Sequence, residues 1–153
     1  MVATAVAIRR CGERDLDDFD RFGSPAHVQY CRDEFARGHE LEILVAVDDE
    51  DRPLGKLHLD FSAHAPEQVA LLVAAAVAPA LQRGGIGTQL MCAAEDAVRE
   101  RGFDTIELGV EDHNPDARRL YERLGYRVTG TSDFVYPGAP VPNPGVLMRK
   151  AIA

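Results

Sequence analysis

The stretch LQRGGIGTQL, residues 81–90, places three glycines directly before a segment with helical periodicity. Gly84, Gly85 and Gly87 allow positive φ angles and let a ligand approach the backbone closely. The first N–H groups of a helix lack intrahelical partners, and together with the helix dipole they attract anions. These residue types in this order favour a phosphate-binding loop, although a tight turn that binds nothing explains the same glycines.

Two common nucleotide-binding loops do not match this stretch. A P-loop needs a lysine directly after its last glycine, but Thr88 follows Gly87. A Rossmann loop needs a glycine three residues after Gly87, but Leu90 stands there. The stretch therefore argues against the binding of Mg–nucleotides and of dinucleotides.

The composition, with 46% hydrophobic and 27% charged residues, predicts one soluble domain over residues 1–153. Cys11, Cys31 and Cys92 lack metal-ligand spacing, which predicts reduced and mostly buried thiols in a cytoplasmic protein. We expect no signal peptide and no membrane partner, because the apolar runs are too short. The formal net charge of −8 argues against a nucleic-acid partner and favours a cationic small molecule, although solubility alone explains it.

Alternating and helical hydrophobic patterns predict the element order β-αα-β-β-β-α-β-α-β-β. Strands are predicted at residues 3–9, 42–47, 54–61, 69–77, 104–110, 126–132 and 145–151, and helices at residues 12–22, 24–38, 86–102 and 114–125. A proline-rich loop at residues 133–145 joins the last two strands. The expected fold class is α/β, or mixed α+β: a mixed, mostly antiparallel sheet of six to seven strands with helices on both faces.

Two sequence blocks carry a family resemblance. Residues 77–88, VAPALQRGGIGT, resemble the acetyl-CoA pyrophosphate loop of the GNAT N-acetyltransferase superfamily, which reads V-x-P-x-x and then Q/R-x-x-G-x-G/A. The matching residues are Val77, Pro79, Gln82, Gly85 and Gly87. Residues 107–126 resemble the strand and helix that follow in this family, V-x-x-x-N-x-x-A-x-x-L-Y-x-x-x-G-[F/Y]. The matching residues there are Val110, Asn114, Ala117, Leu120, Tyr121, Gly125 and Tyr126.

The resemblance implies a GNAT-type fold and an N-acetyltransferase in which a primary amine attacks acetyl-CoA directly within a ternary complex. Acetyl-CoA is the implied cosubstrate, and no metal is required. The implied cofactor-binding residues are Ala75, Val77, Gln82, Arg83, Gly84, Gly85, Ile86, Gly87, Thr88, Asn114, Ala117 and Tyr121. Thr88 could instead cap its helix, and Asn114 could act as a helix N-cap, with or without a cofactor role.

The resemblance also implies that Tyr121 is the general acid that protonates the leaving CoA thiolate, a role that suits a phenol at neutral pH. A tyrosine that only packs in the core is the alternative. The general base stays open because the strand at residues 69–77 carries no acid. The candidates are His58, Asp60, His64, Glu111, Asp112 and His113, and a water chain is a further route.

The acceptor is expected to be a small-molecule or peptide amine bound over the two N-terminal helices and the proline-rich loop. Aromatic side chains are available there: Phe22, His27, Tyr30, Phe134 and Tyr136. A homodimer would fit the family. The alternative to an enzyme is a non-catalytic acyl-CoA-binding or sensing domain of the same fold. The absence of an acidic residue from the strand at residues 69–77 favours this alternative.

Overall fold

The computed structural model describes residues 6–78, 84–135 and 141–152. Within these ranges the strands are β1 (Ala7–Arg10), β2 (Leu41–Val47), β3 (Pro53–His64), β4 (Val69–Val77), β5 (Thr105–Glu111), β6 (Arg127–Phe134) and β7 (Asn143–Ala151). The α-helices there are α1 (Pro25–Phe35), α2 (Ile86–Glu100) and α3 (Pro115–Arg123). Short 3-10 helices span Glu13–Phe22, Gly38–Glu40 and Ala65–Glu67.

The strands form one sheet in the order β1-β2-β3-β4-β5-β7-β6, in which β4 and β5 are parallel and the other neighbours antiparallel. Alternate residues of β2 face two separate layers. Leu44 and Ala46 pack with α2, whereas Ile43 and Val45 pack beneath α1. The expected mixed, mostly antiparallel sheet with helices on both faces is therefore confirmed.

Two features differ in detail from the predicted elements. The first predicted helix is a 3-10 helix, Glu13–Phe22. β6 runs to Phe134 and pairs it with Asn143 of β7, so the predicted proline-rich loop is shorter at both ends. The Phe134 ring packs against Gly109 and Gly145, where any side chain would collide with it, and this packing favours the longer hairpin.

The helix starts follow the sequence signals. Ser24 Oγ accepts a hydrogen bond from the His27 N–H at the start of α1, and Asn114 Oδ1 accepts one from the Ala117 N–H at the start of α3, both at 3.2 Å. A proline occupies the first turn of each helix, where its missing N–H costs no helical hydrogen bond. The residue before α2 is instead Gly85, with a positive φ of 88°.

β4 and β5 separate partway along their length. Residues 69–72 of β4 pair with residues 105–108 of β5, and beyond Leu72 β4 stays beside β3 while β5 stays beside β7. Ala74 lies at a register shift between β3 and β4 with a left-handed φ of 54°. Lys56 Nζ donates a hydrogen bond to the Ala74 carbonyl oxygen at 2.7 Å, which gives this displaced carbonyl a partner. A cleft therefore opens between the C-terminal halves of β4 and β5.

Candidate functional site

A cavity of about 730 Å³ occupies this cleft, within the size range of small-molecule and cofactor sites. It brings together most of the described residues predicted to bind the cofactor: Ala75, Val77, Gly85, Gly87, Thr88, Asn114, Ala117 and Tyr121. The other described lining residues are Lys56, Leu57, Ala76, Leu90, Met91, Asp116, Arg119, Leu120 and Arg123. Residues far apart in the sequence thus meet in one space.

The start of α2 forms part of the cavity wall. Gly85 occupies the N-cap position, so capping is not the role of Thr88, which lies inside the helix. A Cβ on Gly87 would approach Leu120 Cδ2 at 3.4 Å, an ordinary contact, so the packing of the protein does not require glycine there. The missing side chain instead leaves cavity space open beside the unpaired N–H groups of a helix start, as an anion site needs.

Four predicted residues of the glycine segment are not among the described residues that line the cavity. Gln82 and Arg83 lie outside the described residues, as does Pro79, so their roles remain predictions. Gly84 is described but is not a lining residue. The Ile86 side chain is 1% exposed and packs in the core, which leaves only its backbone for the implied role.

The helix α3 forms another wall along its length and supplies charge. Asn114 caps this helix and also borders the cavity, so both predicted roles are compatible with its position. Arg119 and Arg123 border the same space, and Arg119 forms an ion pair with Asp116. Two guanidinium groups at this wall suit phosphate-bearing ligands, since guanidinium matches phosphate geometry.

Tyr121 borders the cavity from α3 with 9% of its surface exposed. Among the described residues its hydroxyl has no hydrogen-bond partner, whereas Tyr126, in edge-to-face contact at 6.1 Å, donates to Glu95 Oε2 at 3.4 Å. Burial raises the pKa of Tyr121, so its hydroxyl stays protonated at neutral pH. Of these two neighbouring tyrosines, Tyr121 is a described lining residue of the cavity and Tyr126 is not.

None of the six candidates for the general base is among the described residues that line the cavity. Glu111 Oε2 and His113 Nδ1 lie 3.1 Å apart after β5. Asp60 accepts hydrogen bonds from Arg37 at 3.1 Å. His58 is fully buried on β3, and its Nε2 lies 3.1 Å from Nζ of a residue that does border the cavity, Lys56.

Lys56 is a cavity residue that the two sequence motifs do not contain. Its side chain is 0% exposed, and burial lowers its pKa to about 8. A compositional signal could have found it, because only two of the 17 lysine and arginine residues are lysines, Lys56 and Lys150. Arginine stays protonated in proteins, whereas a buried lysine can release its proton, so a rare lysine within a predicted apolar strand is informative.

The cysteines are free, but Cys92 is exposed on α2 and Cys11 is only partly buried, so the prediction of mostly buried thiols is wrong for them. No helix in the described ranges combines the length and apolar character needed to cross a membrane. In those same ranges no cluster of three or more His, Cys, Asp or Glu residues is arranged to hold a metal. The single domain, the homodimer and the cytoplasmic location remain predictions.

The fold and the cavity define an α/β protein whose sheet opens beside a helix with a glycine at its N-cap. A family model described as the acetyltransferase (GNAT) family matches residues 10–126, and the chain belongs to this family. The chain is 32% identical over 101 residues to a mycothiol acetyltransferase of Renibacterium salmoninarum, a match that covers 63% of this chain. The match spans 29% of that relative, less than a third of its length.

Solved structures share the fold along nearly the whole chain. The ribosomal-protein-S18-alanine N-acetyltransferase of Escherichia coli has a TM-score of 0.79 at 21% identity, with 97% of this chain and 95% of that chain covered. An aminoglycoside 6′-N-acetyltransferase solved with coenzyme A has a TM-score of 0.74 at 18% identity, with 96% and 97% covered. The predicted GNAT-type fold is therefore confirmed.

Proposed function

We propose that the protein is an acetyl-CoA-dependent N-acetyltransferase that moves an acetyl group to a primary amine by direct attack. The observation that carries the proposal is the single cavity that contacts the start of α2, the edge of β4 beyond Leu72, and Tyr121. An acyl-CoA needs these features together: N–H donors for its pyrophosphate, an extended wall for its pantetheine arm, and an acid for its sulfur.

The cofactor roles follow from position along this cavity. The backbone of residues 82–88 would bind the pyrophosphate, and Arg119 and Arg123 would add positive charge beside the phosphates. Ala75 and Val77 would offer their backbone groups to the pantetheine arm, since β5 no longer pairs with that part of β4. Asn114 and Ala117 would contact the arm from α3.

The proposed reaction is one acyl transfer without a covalent enzyme intermediate. The lone pair of the neutral amine attacks the thioester carbonyl carbon, a C–N bond forms, and the C–S bond breaks with its electron pair on sulfur. Tyr121 gives its proton to that sulfur and regains one from the cationic nitrogen of the intermediate by way of solvent. A backbone N–H of β4 near Ala75 would stabilise the oxyanion.

The names of structural neighbours support this class of donor and acceptor. One neighbour is named for a protein alanine and another for an aminoglycoside, and the second was solved with coenzyme A. We therefore propose a small-molecule or peptide amine as the acceptor for this chain. The net charge of −8 favours an acceptor that carries positive charge.

A thermal-shift comparison of acetyl-CoA, CoA, ATP and NADH tests the cofactor assignment. We expect only the two CoA species to raise the Tm. At a ligand concentration about one hundred times Kd, binding adds about 2.7 kcal/mol to the free energy of unfolding. Stabilisation by ATP or NADH alone would contradict the assignment. Release of CoA that depends on a polyamine, an amino sugar or a peptide amine then distinguishes a transferase from a non-catalytic acyl-CoA-binding or sensing domain.

Gly87→Ala tests the proposed phosphate site at the start of α2. Gly87 is the second residue of α2 and a Cβ there makes only an ordinary contact with Leu120, so the alanine should not destabilise the ligand-free protein. Its methyl group would nevertheless enter the cavity, so we expect Kd for CoA to rise about tenfold, or about 1.4 kcal/mol. Gly130→Ala, on β6 with open space around its Cβ, should leave CoA affinity unchanged. Unchanged affinity in Gly87→Ala would remove this residue from the phosphate site.

A further inference from the structure

The cavity wall formed by β3 contains a buried amine that the proposed chemistry of Tyr121 does not use. Lys56 borders the cavity with 0% exposure and forms no ion pair with a carboxylate among the described residues. An ammonium in such a place is costly, because burial disfavours the charged form when no anion compensates it. The neutral amine is therefore accessible at this position near neutral pH.

Two acceptors orient the Lys56 nitrogen. Nζ lies 2.7 Å from the Ala74 carbonyl oxygen and 3.1 Å from His58 Nε2. A neutral lysine amine has two N–H groups and one lone pair, and these two acceptors can take both hydrogens. The Cys31 thiol on α1 is a third hydrogen-bond neighbour of Lys56. His58 Nδ1 lies 3.5 Å from Glu34 Oε1, which favours the tautomer with the proton on Nδ1 and the lone pair on Nε2.

We propose that Lys56 is the general base of this cavity and takes the proton from the ammonium group of the acceptor before that amine attacks. The inference rests on the proposed function, because it assigns a role within the same acyl-transfer site. His58 is then a positioning residue, since it holds an N–H of Lys56 and acts through it. The substrate class follows: a strongly basic aliphatic primary amine, which arrives protonated and needs a base.

The protons balance over one turnover. The acceptor R–NH₃⁺ gives one proton to the lone pair of Lys56, and the neutral R–NH₂ forms the C–N bond as the C–S bond breaks. The nitrogen, now cationic, loses a second proton. One proton ends on the CoA sulfur through Tyr121, and the other leaves for solvent when the Lys56 ammonium is discharged after product release.

Lys56 is the group of its cluster that titrates near pH 8. The titratable groups that face it are His58 on β3, Cys11 after β1, and His27, Cys31 and Glu34 on α1. Burial lowers the pKa of His58 and of His27 to about 4 and raises the pKa of Cys11 to about 12. Burial also raises the pKa of Cys31.

Glu34 is the fixed charge of this cluster. Burial raises its pKa, but hydrogen bonds with His58, Arg37 and Tyr30 outweigh that effect and leave the pKa below its usual value. Glu34 is therefore ionised, and the two histidines and two thiols are uncharged, between about pH 6.5 and 8.5. Among these groups, a change in activity near pH 8 is thus assigned to Lys56.

Nuclear magnetic resonance of protein labelled with ¹³C at lysine Cε tests the base without an activity assay. The chain has two lysines, so the spectrum contains two signals, and Lys150→Arg assigns them. We expect the Lys56 signal to titrate near pH 8, and His58→Gln to shift that titration. A Lys56 signal that stays protonated up to pH 10 would overturn the proposal.

Rates of CoA release with spermidine and with glucosamine, measured against pH, test the role in transfer. In the native protein the pH–rate profile should have a limb in which the rate rises near pH 8. This limb should lie at the same pH for both acceptors, although the acceptors differ in basicity. Lys56→Met should lose that limb and about 10²–10⁴ of the rate while it keeps its thermal shift with acetyl-CoA. Lys56→Arg keeps a charged donor for Ala74 but cannot accept a proton, so it should not restore the rate.

The outcomes separate the two proposals. Full activity in Lys56→Arg, or an unchanged limb in Lys56→Met, would show that Lys56 only supports the register shift at Ala74 and would overturn the inference alone. A native protein that binds acetyl-CoA but transfers to no amine would overturn the proposed function, and the base assignment with it. If Lys56→Met does not fold, the His58→Gln titration above decides the inference.

Discussion

The two faces of the sheet around β3 bury polar groups in different ways. On the α2 side the buried core is mainly apolar, apart from Glu95 with its partners Tyr126 and Lys150, and Asn114 of the cavity stands at the start of α3. On the α1 side, Lys56, His58 and Glu34 lie inside the protein and connect through Arg37 to Asp60. The α2 side lends a helix start and a helix cap to the cavity, and the α1 side buries a network of ionisable side chains beside it.

The comparison separates two ways of building a site. A cavity wall made from a helix start needs only neighbouring residues in the sequence, so short motifs can encode it. The network beneath α1 joins residues from α1 and β3 that no local pattern links. The cavity meets this network at Lys56, which we have proposed as the base.

The largest effect we expect is a difference in kcat between phenylalanine variants of the two tyrosines on the α2 side. Tyr121→Phe removes a hydroxyl that has no described partner and borders the cavity, so kcat should fall about 10²–10⁴-fold with little change in CoA affinity. Tyr126→Phe removes a hydroxyl bonded to Glu95 and should lower stability by about 1 kcal/mol with kcat nearly unchanged. Steady-state kinetics and urea unfolding of both variants measure the contrast.

If Tyr121→Phe keeps native turnover, the α2 side holds no acid and this difference between the tyrosines is only one of packing. If both variants lose activity equally, the Tyr126 hydroxyl matters as much as that of Tyr121, because phenylalanine keeps both rings and their edge-to-face contact. Either result would break the division of roles between these two residues.

We also expect acid to lower the stability of the protein through His58 on the α1 side. Burial lowers the pKa of His58 to about 4, below the value near 6.5 of an unfolded histidine. Between these values the unfolded state binds a proton that the native state does not, so stability is lost as pH falls from about 6.5 toward 4. The slope should be about 1.4 kcal/mol per pH unit for this residue.

Denaturant unfolding across that pH range, for the native protein and His58→Gln, measures this contribution. The variant should show a shallower loss of unfolding free energy, because one buried histidine no longer resists protonation. His39→Gln, at an exposed position, is the matched control and should keep the native slope. Equal slopes in all three proteins would mean that the network beneath α1 is not the acid-sensitive part of the fold.

The cavity was largely predictable because its signals are local. The glycines before α2, the cap at Asn114 and the tyrosine seven residues later belong to short segments with a fixed geometry. The opening between β4 and β5 has no such local signal, since the register shift at Ala74 involves Lys56 across the sheet. Periodicity placed His58 and Glu34 on a strand and a helix but carried no information on how α1 lies over β3.

The smallest expected effect compares one helix cap from each side. Ser24 caps α1 and Asn114 caps α3 with the same 3.2 Å hydrogen bond, so alanine at either position should cost about 0.5–2 kcal/mol of stability. Asn114 also borders the cavity, so Asn114→Ala should in addition weaken CoA binding severalfold, measured by calorimetry, whereas Ser24→Ala should not. Because both variants lose a similar cap, a difference in CoA affinity reports contact with the ligand rather than loss of helix stability. Equal affinities would restrict Asn114 to its capping role and place the pantetheine wall on β4 alone.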